Sequence, residues 1–217
     1  MSVHFLDNYP KTDLGKSIKK KDGSPLQGEI WVYNQFLEIN EHELLSKDTW
    51  YLKHDYDLSL HPEARGKVEG QIDFLLLTKD GLIIIEVKGG GLRVDENDCY
   101  FSYNRNSEYE TQNPFKQAKE YVHSLKNLIA NSNLFICRAI ILPHESGFVM
   151  RGAQLIGYQH SFFSKQSYIH CDSPKAINNC FFDFISSLCN ISKRHVVKNL
   201  MSTLRPEQVN RKAMSLY

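Results

Sequence analysis

The stretch GQIDFLLLTKDGLIIIEVKGGG, residues 70–91, contains two apolar runs joined by a short polar segment. These runs predict strands over 71–78 and 82–88, and the Asp80-Gly81 pair between them is typical of a tight hairpin loop. Asp73, Glu86 and Lys88 interrupt the apolar runs, and charges in buried strands are costly unless they have partners. We therefore expect this hairpin to carry both the core of the fold and its chemistry.

The relative positions of these charges depend on the loop of the hairpin. Side chains alternate along a strand, so Glu86 and Lys88 share one face. A two-residue loop at Asp80-Gly81 puts Asp73 opposite Lys88 and Leu75 opposite Glu86, which makes the two carboxylates diagonal neighbours, roughly 7 Å apart. A three-residue loop would move Asp73 to the other face. The two-residue loop predicts that both carboxylates reach one point.

Two interpretations account for this charge cluster. An internal salt bridge from Lys88 to Asp73 or Glu86 satisfies one carboxylate and leaves the other without a partner. A divalent cation satisfies both, since Mg²⁺ binds oxygen ligands and keeps several waters, and the carbonyl of Val87 can add a third ligand. Such a cation would acidify a bound water and neutralise charge on a phosphate, and Lys88 is placed to stabilise the attacking hydroxide. This combination favours phosphodiester hydrolysis.

The rest of the chain predicts an α/β fold around this hairpin. Residues 10–27 are polar and rich in lysine, glycine and proline, which is typical of a flexible lead-in. Asn113-Pro114 is a helix start, with Asn as the cap and Pro at the first helical position. The predicted helices begin near Gly28 and end before Asp48, span 113–130, and begin at Ser173-Pro174. Further strands are predicted at 50–58, 99–103, 134–143 and 148–158, with a polar loop over 104–112. The order helix, three strands, helix and strand predicts an α/β sandwich of about 145 residues with a C-terminal extension.

Composition excludes several classes of protein. The 217 residues are 41% hydrophobic and 24% charged, as in an ordinary globular protein. The first ten residues lack the apolar stretch of a signal peptide, and no apolar run approaches the about 18 residues of a membrane span. A net charge of +1 excludes nucleic-acid binding by bulk electrostatics alone. Residues 191–217 carry six Lys or Arg residues against Glu207, either as a solvated helix face or as a phosphate-contacting one.

Cysteine and histidine usage indicates a reduced protein without a zinc site. The five cysteines are odd in number and none forms a C-x-x-C pair, which favours a cytosolic location. Cys171, Cys180 and Cys189 are spaced nine residues apart, a spacing that predicts thiols on different helical turns and hence small buried side chains. The nine histidines show no metal-binding spacing.

Four blocks of the sequence together resemble a known family. Gly28-Glu29 opening a helix, GQIDFLLL, GLIIIEVKGGG and NPFKQAKEY occur in this order and resemble the nuclease-related domain, NERD, of the PD-(D/E)XK nuclease superfamily. The resemblance covers roughly residues 26–145. It implies a restriction-endonuclease-like core of order α-β-β-β-α-β, with a central mixed sheet flanked by helices.

The resemblance also implies a catalytic set and a function. Glu29, Asp73, Glu86 and Lys88 form that set, Gln117 is a further site residue, and Mg²⁺ or Mn²⁺ is the expected cofactor. Gln117 and Tyr121 resemble the Gln-x-x-x-Tyr element of RecB-like nucleases. We expect Tyr121 and Lys116, on the same helix as Gln117, to contact nucleic acid.

The expected function is metal-dependent cleavage of DNA in DNA processing or anti-phage defence, and nothing in these residues separates DNA from RNA as the substrate. The alternative is a non-catalytic nucleic-acid-binding or docking module that acts with a helicase or ATPase partner. No membrane partner is expected. The expected organisation is a flexible lead-in (1–25), a nuclease core (26–145), a strand and helix that complete the domain (146–190) and a basic helical tail (191–217).

Overall fold

A mixed sheet of six strands forms the centre of the protein. The computed structural model describes residues 2–41, 49–58, 70–97, 99–103, 107–129, 134–144 and 162–203. The strands of the main sheet are β1 (Ser2–Phe5), β2 (Thr49–Asp57), β3 (Gln71–Thr78), β4 (Gly81–Val87), β8 (Ile136–Leu142) and β9 (Phe162–Ser164). Their order across the sheet is β1-β2-β3-β4-β8-β9. β3 is antiparallel to β2 and β4, whereas β1, β8 and β9 each run parallel to a neighbour.

Helices cover both faces of this sheet. They are α1 (Leu14–Ser17), α2 (Gln27–Glu41), α3 (Pro114–Leu128) and α4 (Pro174–Thr203). α2 and α4 bury Phe36 and Phe181 against the face of β4 that carries Ile83 and Ile85. α3 packs on the opposite face, which carries Ile84. β4 is buried along its whole length, and this explains its nearly continuous apolar run.

The N-terminal segment is part of the domain, so the prediction of a flexible lead-in is wrong. β1 pairs in parallel with β2, and Leu14 and Ile18 are buried in the main core. The polar stretch that follows returns to the core, because Leu26 donates its backbone amide to the carbonyl of Ile18 at 3.1 Å. Two buried side chains thus anchor a segment whose composition is mostly polar.

The β3–β4 hairpin has a different register from the one predicted. Thr78 pairs with Gly81, so the loop is Lys79-Asp80, and Leu75 lies opposite Ile84. The Thr78 side chain sets this turn by accepting from the Asp80 amide and donating to the Gly81 carbonyl. Gly81 has a φ of 151°, a value that favours glycine. Each residue of β3 therefore pairs with the residue of β4 that lies two positions before its predicted partner. A shift of two positions leaves every side chain on the same face of the sheet.

Three short strands, β5 (Gly91–Val94), β6 (Tyr100–Tyr103) and β7 (Glu108–Thr111), form a separate antiparallel sheet beside the main one. β6 agrees with the strand predicted at 99–103, but β7 occupies residues predicted to be a loop. This small sheet packs Leu92 and Tyr100 against Phe115 at the start of α3. The glycine run at its entrance permits close packing, since a Cβ at Gly91 would lie 2.1 Å from the Tyr103 ring.

The C-terminal part completes the main domain. β9 extends the main sheet beside β8, and α4 begins at Pro174, as predicted. The strand predicted at 148–158 and the tail beyond residue 203 lie outside the described residues. The sulfurs of Cys171 and Cys180 lie 3.2 Å apart and both residues are only partly buried, so the prediction of small buried side chains is wrong for these two and is confirmed for Cys189. Cys171 precedes α4 and folds back on it. No helix in the described part of the chain combines the length and hydropathy needed to cross a membrane.

Candidate active site

A cluster of charged side chains lies where β3 and β4 stop pairing. The last backbone pair of their ladder is Phe74 with Ile85, and the same register continued by one residue puts Asp73 opposite Glu86. Beyond that pair, a hydrogen bond from a side chain takes the place of backbone pairing between the strands. Asp73 Oδ2 accepts this hydrogen bond, at 2.6 Å, from the backbone amide of Val87. Asp73 and Glu86 share one face, as predicted, and lie opposite each other rather than diagonally.

Lys88 connects the buried Glu86 carboxylate to helix α3. Its Nζ donates to Glu86 Oε1 at 2.7 Å and to Gln117 Oε1 at 3.4 Å. Gln117 in turn donates to the Tyr121 hydroxyl at 2.7 Å. Glu86 Oε2 is buried and has no hydrogen-bond partner within the described residues. The predicted salt bridge to Lys88 therefore exists, and it satisfies only one of the oxygens of Glu86.

Glu29 reaches the same cluster from the first turn of α2. The helix approaches the strand end very closely, since a Cβ on Gly28 would lie 2.8 Å from the Cα of Gly89. Two glycines in contact thus allow the N-terminus of α2 to lie against the end of β4. Glu29 Oε2 accepts a 2.7 Å hydrogen bond from His54 Nε2, and the hydroxyl of Tyr9 lies 3.1 Å from the other ring nitrogen.

The electrostatics of the cluster show an excess of negative charge. Burial raises the pKa of Asp73 well above its ordinary value, and the nearby carboxylates of Glu86 and Glu29 raise it further. Burial also raises the pKa of Glu86, and the ammonium of Lys88 only partly opposes this effect. Burial tends to lower the pKa of Lys88, but Glu86 and Asp73 outweigh it and raise that pKa. Lys88 is therefore protonated, and one ammonium does not balance three carboxylates.

The structure brings together most of the residues predicted for the site. Glu29, Asp73, Glu86, Lys88 and Gln117 are linked by hydrogen bonds or by direct electrostatic interaction, as stated above. Val87 lies between the two charged residues of β4, and ligation by its carbonyl stays a prediction.

The two residues predicted to contact nucleic acid have different surroundings. The Tyr121 ring is 4% exposed, and a Cβ on Gly70 would lie 2.5 Å from it. Its hydroxyl accepts a hydrogen bond from Gln117 at 2.7 Å, and its contact with nucleic acid stays a prediction. Lys116 is exposed at the start of α3, and its contact with nucleic acid stays a prediction.

His54 and Tyr9 were not predicted as site residues. His54 is buried on β2, opposite Phe74, and it hydrogen-bonds both Glu29 and Tyr9. Its neighbour Asp55 has a φ of 57°, an unusual value for a residue other than glycine and one that often marks a functional site. The sequence signal was the polar pair His54-Asp55 inside an otherwise strand-like run.

The donor set of the cluster fits a hard cation that keeps several waters. Each of Asp73, Glu86 and Glu29 has one carboxylate oxygen bound by the protein and one without a protein partner in the described part of the chain. Among the described residues, no group of three or more His, Cys, Asp or Glu side chains is arranged to hold a metal ion. Mg²⁺ needs fewer protein ligands, since it is usually bound by one or two carboxylates and keeps several waters.

Comparison with known proteins gives one family match. The model of the nuclease-related domain, NERD, matches residues 25–143, which is more than half of the chain. A search of curated proteins found no match, and a search of solved structures found none either. The matched span includes α2, the β3–β4 hairpin, α3 and β8. All three carboxylates of the cluster, Lys88 and Gln117 lie within it.

Proposed function

The chain belongs to the nuclease-related domain family, a family of PD-(D/E)XK type, and from that premise we propose that it is a metal-dependent nuclease that hydrolyses phosphodiester bonds in DNA. One observation supports this proposal above all others. Glu29, Asp73 and Glu86 converge on one strand end, and each keeps one carboxylate oxygen that no described residue binds. Glu86 Oε2 is fully buried without a partner among the described residues, a state that is expensive unless a cation completes it.

Asp73 Oδ1 and Glu86 Oε2 are the oxygens that would hold Mg²⁺ or Mn²⁺, with the Val87 carbonyl as a further ligand. When bound, the cation supplies an acidified water and neutralises charge on the scissile phosphate. Glu29, held by His54, is the carboxylate nearest to the N-terminus of α2 and would position the attacking water.

Lys88 has a separate role in this proposal. A lysine ammonium has three N–H donors, and two of them are used by Glu86 and Gln117. The third is available for an oxygen of the phosphate or of the attacking water. Because the carboxylates keep Lys88 protonated, it acts as a charge stabiliser and not as a general base.

A metal-titrated cleavage assay tests the proposal. Purified protein is incubated with supercoiled plasmid, linear duplex, single-stranded DNA and RNA, in EDTA and with increasing Mg²⁺ or Mn²⁺. We expect cleavage of DNA only with metal, and we expect Glu86→Gln to reduce the rate at least about a hundred-fold. If the protein cleaves RNA but not DNA, the proposed metal-dependent hydrolysis stands and the substrate is RNA.

The matched control is Glu120→Gln, which removes a carboxylate from the exposed face of α3. It should retain full activity and the same metal dependence. Equal cleavage by the Glu86→Gln and Glu120→Gln variants would refute the assignment of the site. DNA binding without cleavage, unchanged by Mg²⁺ and by Glu86→Gln, would instead identify a docking module.

The five cysteines carry free thiols, which supports our placing of this activity in the reducing cytoplasm.

A further inference from the structure

A cavity of about 540 Å³ opens beside the carboxylate cluster. Its lining includes Glu29, His54, Asp55 and Asp73, together with three consecutive lysines, Lys19–Lys21. Its volume lies within the range of about 300–1,000 Å³ that is usual for small-ligand sites. The lining thus combines Glu29 and Asp73, which belong to the proposed catalytic site, with three lysines that have no role in it.

The lysines belong to a folded turn. Ile18, directly before them, is buried in the main core. Lys20 donates its amide to the carbonyl of Ser24 at 2.8 Å, and Gly23 donates its own to the carbonyl of Lys20 at 3.0 Å. Asp22 Oδ1 accepts from both the amide and the hydroxyl of Ser24, at 2.8 and 2.6 Å. The backbone therefore holds the three lysines in place at the rim of the cavity.

The acidic residues that line the cavity do not use these lysines as partners. Among the described residues, no ion pair involves Lys19, Lys20 or Lys21, and all three side chains are exposed. A carboxylate-rich site repels a nucleic-acid strand, since each nucleotide carries a negative phosphate. Three lysines on a folded turn beside the site offset that repulsion and can contact phosphates.

We propose that the Lys19–Lys21 turn binds the backbone phosphates of a nucleic-acid strand that enters this cavity, beside the phosphodiester to be cleaved. This inference rests on the proposed nuclease function and names where the substrate lies. The contacts are to phosphates, so they position the strand without reading its sequence.

Salt-dependent binding tests this proposal. A fluorescent single-stranded DNA, a duplex and an RNA of the same sequence are titrated with the protein in EDTA, at several NaCl concentrations, and binding is followed by anisotropy. The Lys19→Gln, Lys20→Gln, Lys21→Gln triple variant is compared with the wild type. The matched control is Lys126→Gln, Lys165→Gln, Lys175→Gln, which removes three exposed lysines outside the cavity.

We expect the slope of log Kd against log salt to fall by about two for the triple variant, since each phosphate contact contributes about 0.7 to 0.9. The affinity gap between wild type and variant should then narrow about a hundred-fold for a ten-fold rise in salt. Replacing the three lysines by arginine should restore the wild-type slope. Unchanged melting temperatures would show that the turn remains folded, as expected for exposed side chains.

The outcomes separate this inference from the nuclease proposal. If the wild type cleaves DNA but the triple variant and the control have the same salt slope, the lysine inference is wrong and the nuclease proposal stands. If the slope falls as expected but no substrate is cleaved, the binding site stands and the nuclease proposal fails. A wild type that binds none of the three nucleic acids would overturn the inference.

Discussion

Replacing Lys88 by methionine should destabilise the metal-free protein and make Mg²⁺ unusually stabilising. The lysine ammonium lies 2.7 Å from Glu86 Oε1, and the side chain of Glu86 is only 2% exposed. Methionine is unbranched and only one atom shorter than lysine, and it removes the charge. Glu86 would then be a buried carboxylate with no partner on either oxygen.

The size of the effect follows from these contacts. Removing one member of a buried ion pair costs about 3–5 kcal/mol of unfolding free energy. Because Lys88 is 22% exposed, we expect the lower end, about 3 kcal/mol. For a domain of this size, that loss corresponds to a melting temperature lower by about 6–12 °C. The Glu86→Met, Lys88→Met double variant removes both charges and should recover most of the loss.

Mg²⁺ separates the two interpretations of the cluster. If the carboxylates form a metal site, Mg²⁺ binds the variant without repulsion from the ammonium that shares Glu86 with it in the wild type. At ten times its Kd it contributes about 1.4 kcal/mol to stability. Mg²⁺ should therefore raise the melting temperature of Lys88→Met more than that of the wild type, and it should not raise that of the double variant.

Thermal unfolding with and without Mg²⁺ is the assay, with Ca²⁺ as a second cation and NaCl of equal ionic strength as the control. A Lys88→Met variant that gains no more from Mg²⁺ than the wild type would refute the metal interpretation. The cluster would then be an internal salt bridge between Lys88 and Glu86 that binds no cation. A double variant as unstable as Lys88→Met alone would contradict the assigned cost of the unpaired charge.

Three further predictions follow from the packing and charge of the site. Gly28→Ala should lower the free energy of unfolding, measured in urea, by about 1–3 kcal/mol, because the added Cβ would clash with the strand end against which α2 packs. Gly15→Ala is the control and should not destabilise the protein, because its Cβ would lie 3.8 Å from the nearest atom. The raised pKa of Asp73 means that the metal-free wild type loses stability as pH rises from the ordinary carboxyl range through that pKa. The melting temperature of Asp73→Asn minus that of the wild type should therefore grow as pH rises, and a constant difference would contradict this sign. His54→Ala should lower kcat about ten-fold or more without changing the Kd for DNA, because Glu29 loses the hydrogen bond that holds it. His54→Gln keeps a hydrogen-bond donor and should partly restore kcat, whereas an equal loss in both variants would indicate a purely structural role for His54.

The shared face of Asp73 and Glu86 could be predicted from sequence because strand periodicity is insensitive to a two-residue change of register. The register itself could not, since the turn is set by the hydroxyl of Thr78, a side chain outside the loop that composition indicated. A one-residue error would have separated the carboxylates. The prediction of the site thus survived an error in the prediction of the turn.

Long-range pairing explains most of the elements that were missed. β1 is four residues long and pairs with a strand more than forty residues away, so no local pattern marks it. β5 and β7 are equally short, and β7 has mostly exposed side chains without an apolar face. Longer elements with a clear buried stripe, such as α3 and β8, were predicted within a few residues of their observed bounds.

The residues that sequence reasoning placed outside the nuclease core complete its site. Asp7 Oδ2 accepts from the backbone amide of His54 at 2.7 Å, and Tyr9 contacts the ring of the same histidine. His54 holds Glu29, so part of the carboxylate cluster depends on the first nine residues of the chain. The family match begins at residue 25, and these contacts and the lysine turn precede it. The core that the family model matches therefore carries the carboxylates, while the segment before it holds one of them in place and contributes the lysines that line the cavity.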